Sequence, residues 1–171
     1  AGACGADQPS GDAGTTTSVA EAPSAFPVTV EAGNGSVEIA AAPQRIVSLS
    51  ASVTEVLFAL GAGPQVVAVD QHSDFPAGTP VTDLSGFRPN LEAIGQYDPD
   101  LVVVSSDRDG VVSALDAVGV PVLLLSSPPD LDGLYRHVEV LGAATGHADE
   151  AADLVGEIRG DLEALAGPVP E

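Results

Sequence analysis

Four hydroxyls fall on alternate positions of one short stretch: Ser48, Ser50, Ser52 and Thr54. The apolar run Val56-Leu57-Phe58-Ala59-Leu60 follows, and Gly61-Ala62-Gly63 ends it. Hydroxyls placed between a strand and a helix can attack a carbonyl, cradle a phosphate or cap the helix. A nucleophile elbow reads Gly-x-Ser-x-Gly, and the chain has none. A dinucleotide fingerprint needs strand, glycine turn and helix in that order, so that helix N–H groups face the pyrophosphate. Gly61 and Gly63 instead follow a helical run and precede Val-Val-Ala-Val-Asp, which makes them helix-stop glycines. A Walker loop needs a lysine, and the five basic residues are all arginine. His72, His137 and His147 stand far apart, without the spacing of metal ligands. His137 reads as a helix-surface residue and His147 as a helix-start residue. The pairs Asp98/Asp100 and Asp107/Asp109 read as loop and capping groups.

The elements that must hold these residues can be traced in order. Order begins near Phe26, and two short strands, Val28–Glu31 and Val37–Ile39, flank Asn34-Gly35, a hairpin signal. Arg45–Leu49 is a β-branched buried strand, with Ser52 or Thr54 capping the helix that runs to about Leu60. Gln65–Asp70 is a second such strand. Gln71–Pro89 is a long Gly/Pro/Ser loop, of a length that in compact domains usually carries function. Asn90 caps a short helix, Leu101–Ser105 is a third strand, and Asp109–Gly119 is a helix. Pro121–Leu125 is a fourth strand. Leu131, Leu134, Val138 and Leu141 form one face of the next helix, which Gly146 closes. Residues His147 to Ala166 form a last helix with a stripe of Leu154, Ile158, Leu162 and Leu165. Strands alternating with helices predict an α/β fold with an open, mostly parallel sheet flanked by helices, followed by a long amphipathic helix.

A chain of 171 residues has the size of one ordinary domain. Its formal net charge of −20 argues against nucleic acid and against adsorption to anionic membranes. No apolar run approaches the roughly 18–20 residues of a transmembrane helix. The single Cys4 excludes an intramolecular disulfide, and it stands ahead of a Gly/Ser/Thr/Pro-rich stretch with the composition of a flexible tether. "AGAC" resembles the tail of a lipobox, although Ala1 stands where Leu is commonest. Cys4 is therefore the expected lipid-attachment site, and a lipid anchor the only expected contact with membrane.

In an open α/β sheet, ligands sit outside the carboxyl ends of the strands. Those ends here are Ser50–Ser52, Asp70–Phe75, Ser105–Arg108 and Ser126–Pro129, and the long loop adds Phe87 and Arg88. The rim offers hydroxyls, helix N-terminal amides, an aromatic ring and two of the five arginines. It suits a polar ligand with some flat apolar area.

The segments "PQRIVSLSASVTEVLFALGAGPQVVAVDQHSDFP", "GFRPNLEAIGQYDPDLVVVSS", "AVGVPVLLL" and "LYRHVEVLGAATGHADEA" are similar to the iron-siderophore/cobalamin substrate-binding proteins of ABC importers. The likeness runs from about Val37 to Leu165. It implies one Rossmann-like lobe of a two-lobed protein whose lobes are joined by a rigid helix, and a metal chelate held between them. It divides the chain into a lipoprotein start and tether at 1–26 and a lobe at 27–146. An interlobe helix at 147–166 and the start of a linker at 167–171 follow. It turns Ser50, Ala51, Ser52, His72, Ser73, Phe75, Phe87, Arg88, Ser106 and Arg108 toward the ligand, and places Glu92 where such a lobe docks on an arginine of the permease. It implies no intrinsic cofactor, an iron- or cobalt-containing chelate as ligand, an ABC permease as partner, and a monomer when full length. The implied location is the outer face of the cytoplasmic membrane. Members are about twice this long, the usual proline after "SLS" is Ala51, and the common aromatic before proline is Phe75, which lacks a hydroxyl.

The chelate stays open between ferric siderophore, haem and cobalamin. Arg88 and Arg108 favour an anionic siderophore, whereas Phe87 and the neutral hydroxyls suit a corrinoid. Two further readings are a receptor for bare zinc or manganese, for which His72 is the one loop histidine, and a small α/β hydrolase acting through Ser50 or Ser52.

Overall fold

A computed structural model describes residues 25–165. Residues 1–24, which hold Cys4 and nearly all of the expected tether, lie outside the described residues, as do 166–171. Strands β1 (Val28–Ala32) and β2 (Gly35–Ile39) form an antiparallel hairpin. A four-stranded parallel sheet follows, made of β3 (Ile46–Leu49), β4 (Val66–Val69), β5 (Leu101–Val104) and β6 (Val122–Leu124) in the order β4-β3-β5-β6. The helices are α1 (Ala51–Ala59), α2 (Leu91–Gly95), α3 (Val111–Asp116), α4 (Leu131–Thr145) and α5 (Ala148–Leu165). The expected α/β architecture is present.

Side-chain alternation along the strands builds a core on each face of the sheet. Leu101 and Val103 of β5 join one cluster, with Leu57 and Leu60 near α1 and Tyr135, Val138 and Leu141 of α4. Val102 and Val104 join the other, with Ile94 of α2 and Val111 and Leu115 of α3. Register slips where Ile46 faces Val66 but Val47 faces Ala68, so Val66 and Val69 reach the same cluster. Each of these buried aliphatic side chains contributes about 1.5–3 kcal/mol. The carboxylate of Asp100 accepts the backbone N–H groups of Gln44 (2.7 Å) and Arg45 (2.9 Å), tying the start of β3 to the start of β5.

Several elements differ from expectation for physical reasons. The hairpin's two-residue turn is Gly33-Asn34, one position earlier than Asn34-Gly35, and Ala32 pairs with Gly35. Gly33 lies so close to β6 that a Cβ would stand 2.8 Å from Leu124 O, and its N–H donates to that oxygen at 2.7 Å. The Asn34 side chain donates to Val122 O (2.9 Å) and accepts from Leu124 N (3.0 Å). Helix α3 starts at Val111 rather than Asp109, because Asp109 (φ 55) and Gly110 (φ 71) are both left-handed.

The packed face of α4 centres on Tyr135, Val138 and Leu141, while Leu131, the first helical residue, is exposed. Leu154 and Ile158 of α5 pack on the core, but Leu162 and Leu165 are exposed. Arg159 lies over the Tyr135 ring (4.3 Å) and 3.9 Å from Asp132. Helix α5 therefore runs back along α4, and its last turn passes beyond the start of its partner.

Candidate functional site

The order of the sheet sets where a ligand can sit. After β3 the chain crosses to β4 on one side, then returns to β5 on the other. Such a reversal opens a crevice at the carboxyl ends of the flanking strands. A concavity of about 430 Å³ lies there. Its lining comes from Leu49, Ser50, Ala51 and Ser52 after β3, Asp70 and His72 after β4, Ser105 after β5, and Gly86 and Phe87 of the long loop.

The hydroxyl run divides between interior and rim. Ser48 and Thr54 are fully buried. Thr54 Oγ1 lies 2.9 Å from Ser48 Oγ, 3.0 Å from Ser50 O and 3.2 Å from Ser73 Oγ, and Ser73 donates to Asp70 at 2.5 Å. This chain of polar groups joins the loop after β3 to the loop after β4 beneath the concavity. Ser50 is the N-cap of α1 but makes no side-chain cap bond, so the cap expected at Ser52 or Thr54 is not formed. Instead Ser50 Oγ is 3.3 Å from the exposed Ser52 Oγ on the rim.

Phe87 adds an aromatic ring to the same lining, and Arg108, outside the lining, stands against that ring. Phe87 is 63% exposed although it is a large apolar ring. The His72 ring meets it edge-on, with centroids 6.2 Å apart, and the Arg108 guanidinium stands 5.7 Å from its centroid. Gln71 Nε2 is 3.1 Å from His72 Nε2. Gly86 sets the floor: a Cβ there would come within 2.3 Å of Leu49 O, so only glycine lets the loop lie against β3.

The structure thus brings Ser50, Ala51, Ser52, His72 and Phe87 to one concavity, with Arg108 against Phe87. Ser73 is buried below it as part of the polar chain. Phe75 is exposed and outside the lining. Arg88 is also outside, its N–H donating to Ser85 Oγ at 3.2 Å. Ser105 lines the concavity where Ser106 does not. Leu49 and Gly86 were not foreseen. The glycine in Ser-Gly-Phe at the end of a long loop was the available signal for a close backbone approach. Asn90 caps α2 by accepting from Ala93 N (3.0 Å), and Glu92 is exposed in its first turn.

Other titratable groups are dispersed. Among the described residues no three His, Cys, Asp or Glu side chains converge as metal ligands. His147 Nδ1 lies 3.1 Å from Thr145 O, in the corner between α4 and α5. His137 of α4 is held below the ordinary histidine pKa by partial burial, then by the neighbouring Arg136 charge.

The periplasmic binding protein family matches residues 46–171. The chain belongs to that family. Its parallel sheet and long final helix match the class III, helical-backbone form. It is 32% identical over 152 residues to a cobalamin-binding protein of Halobacterium salinarum, covering 85% of this chain and 41% of that one. It is 33% identical over 145 residues to an uncharacterized ABC transporter substrate-binding lipoprotein of Bacillus subtilis, covering 81% and 46%. The crystal structure of a periplasmic heme-binding protein from Pseudomonas aeruginosa matches with a TM-score of 0.68 and 28% identity, over 72% of this chain and 46% of that one. The chain therefore spans about half the length of the relatives it matches. The members of this family are binding proteins rather than enzymes.

Proposed function

We propose that residues 27–146 form the first lobe, and 147–166 the start of the interlobe helix, of an extracytoplasmic lipoprotein. It captures a metal chelate and delivers it to an ABC permease. The observation that carries this reading is the concavity at the reversal point of the sheet, whose lining combines serine hydroxyls with an exposed phenyl ring flanked by His72 and Arg108. A chelate brings its own metal donors. What it needs from a protein is flat apolar contact and a few orienting polar groups. The cobalamin-binding and heme-binding relatives support the same ligand class.

Ser50, Ala51, Ser52, His72, Phe87 and Arg108 contact the chelate in this reading. Ser73 acts beneath them, and Phe75, Arg88 and Ser106 act from the surrounding rim. The exposed Glu92 docks an arginine of the permease, Cys4 carries the lipid, and the protein works as a monomer. Titration with cyanocobalamin, hemin and a panel of ferric siderophores, read by the absorbance of each chelate, tests the proposal. One class binds, and Phe87→Ala weakens it. Absence of binding to every chelate overturns it.

A further inference from the structure

A second concavity, of about 130 Å³, adjoins the first across a wall made by Ser52 and Ser105, which line both. Val56, Leu134 and Leu141 supply apolar lining. Ser126 and Ser127, from the segment between β6 and α4, and His137 of α4 supply polar groups. His137 is half-buried and makes no hydrogen bond among the described residues. The hydroxyls of Ser105, Ser126 and Ser127 make none there either. Ser126 and Ser127 are exposed at the mouth, whereas Ser105 and His137 are half-buried; a few polar groups set over an apolar floor are the composition of a ligand site.

Size and charge narrow the occupant. An apolar cavity of about 150 Å³ takes one benzene ring, so this space holds one ring and not two. No carboxylate or guanidinium lines it, and an ion placed there would lose hydration without gaining a counter-charge. The charged groups near His137 are Arg136 and Glu139 of its own helix and Glu31 of β1, which share with it a different hollow on the hairpin side. Partial burial and then the Arg136 charge favour the neutral imidazole, which offers one donor and one acceptor nitrogen.

We propose that this annex is a subsite for an uncharged, ring-sized group that both donates and accepts hydrogen bonds, such as a phenol or azole arm of the ligand in the neighbouring concavity. The assignment rests on the reading of that concavity as a chelate site, but phenol alone can test it. Histidine-ring NMR of the chain is suited to this, because it has three histidines and so three sets of ring signals. Phenol at neutral pH is expected to shift the His137 signals saturably and leave those of His72 and His147 in place. His137→Phe keeps a ring and removes the hydrogen bond, and Ser127→Ala, which removes a hydroxyl from the neighbouring wall, should also weaken phenol while leaving the fold intact. His137→Phe should weaken phenol about tenfold, measured by ligand-observed NMR with the fold checked by circular dichroism. An unmoved His137, equal shifts of all three histidines, or undiminished affinity in a folded His137→Phe overturns the proposal. If phenol binds as stated while cyanocobalamin, hemin and ferric siderophores all fail, the annex stands and the chelate reading falls.

Discussion

Thr54→Val is the sharpest test of how the rim is held. Valine keeps the shape of threonine and replaces its hydroxyl with a methyl group. Thr54 is fully buried, and its oxygen has three polar neighbours, at 2.9, 3.0 and 3.2 Å. A hydroxyl has one proton: Ser50 O can only accept, so Thr54 donates there and receives from Ser48, while Ser73 spends its own proton on Asp70. Removing it forfeits about two net bonds, each worth about 1 kcal/mol. No buried partner is stranded, because Ser48 can turn to Ser50 O at 3.3 Å, Ser73 retains Asp70, and Ser50 O retains the Thr54 backbone N–H at 2.9 Å. The expected loss is about 2 kcal/mol, or a fall in Tm of roughly 4–8 °C for a domain of this size. Urea and thermal unfolding followed by circular dichroism measure it. Thr54→Ser keeps the hydroxyl, loses one methyl, and should cost only about 1 kcal/mol. A Thr54→Val protein within about 0.5 kcal/mol of wild type, or more stable than Thr54→Ser, refutes the reasoning.

Gly142→Ala should destabilise by about 2–4 kcal/mol despite alanine's better helix propensity, because the new Cβ would lie 2.4 Å from Ala151 Cβ and 2.7 Å from His147 O; thermal melts check it. Phe87→Ala should leave stability within about 0.5 kcal/mol while lowering affinity for the bound chelate about tenfold, because the ring is mostly exposed; paired melts and titrations separate the two. His137 has a folded-state pKa below its unfolded value. The folded state therefore binds fewer protons, and stability present above about pH 6.5 is lost as pH falls through the folded value. His137→Gln should flatten that part of the pH dependence in urea unfolding between pH 7.5 and 5. The flanking Glu31, Arg136 and Glu139 remain in both proteins. An unchanged slope counts against the assignment.

The parallel sheet was legible because its strands are short, apolar and β-branched, and because helical runs separate them. The carboxyl ends then pointed to the rim where the concavity lies, and chain order alone put Ser50–Ser52, His72 and Phe87 on that rim. Contacts between residues distant in sequence were not legible. Periodicity put Leu131 in the packed stripe of α4, but a stripe says nothing of where its neighbour ends. The same limit applied to Leu162 and Leu165. Hydroxyl spacing in Ser48–Thr54 could not tell rim from interior, because the partners that claim Thr54 include Ser73, 19 positions away. Gly86 takes its meaning from Leu49 O, which only the fold brings near.

The Gly33-Asn34 turn has a consequence for association between copies. Strand β6 ends the sheet, and an uncovered edge is a template on which another chain can add a strand. The turn occupies Val122 O and both backbone groups of Leu124. An amide side chain and one backbone N–H thus stand in for a fifth strand in a space too narrow for one. The sheet stops at four strands on that side, and its resistance to edge-to-edge aggregation rests on a residue some 90 positions earlier in the chain.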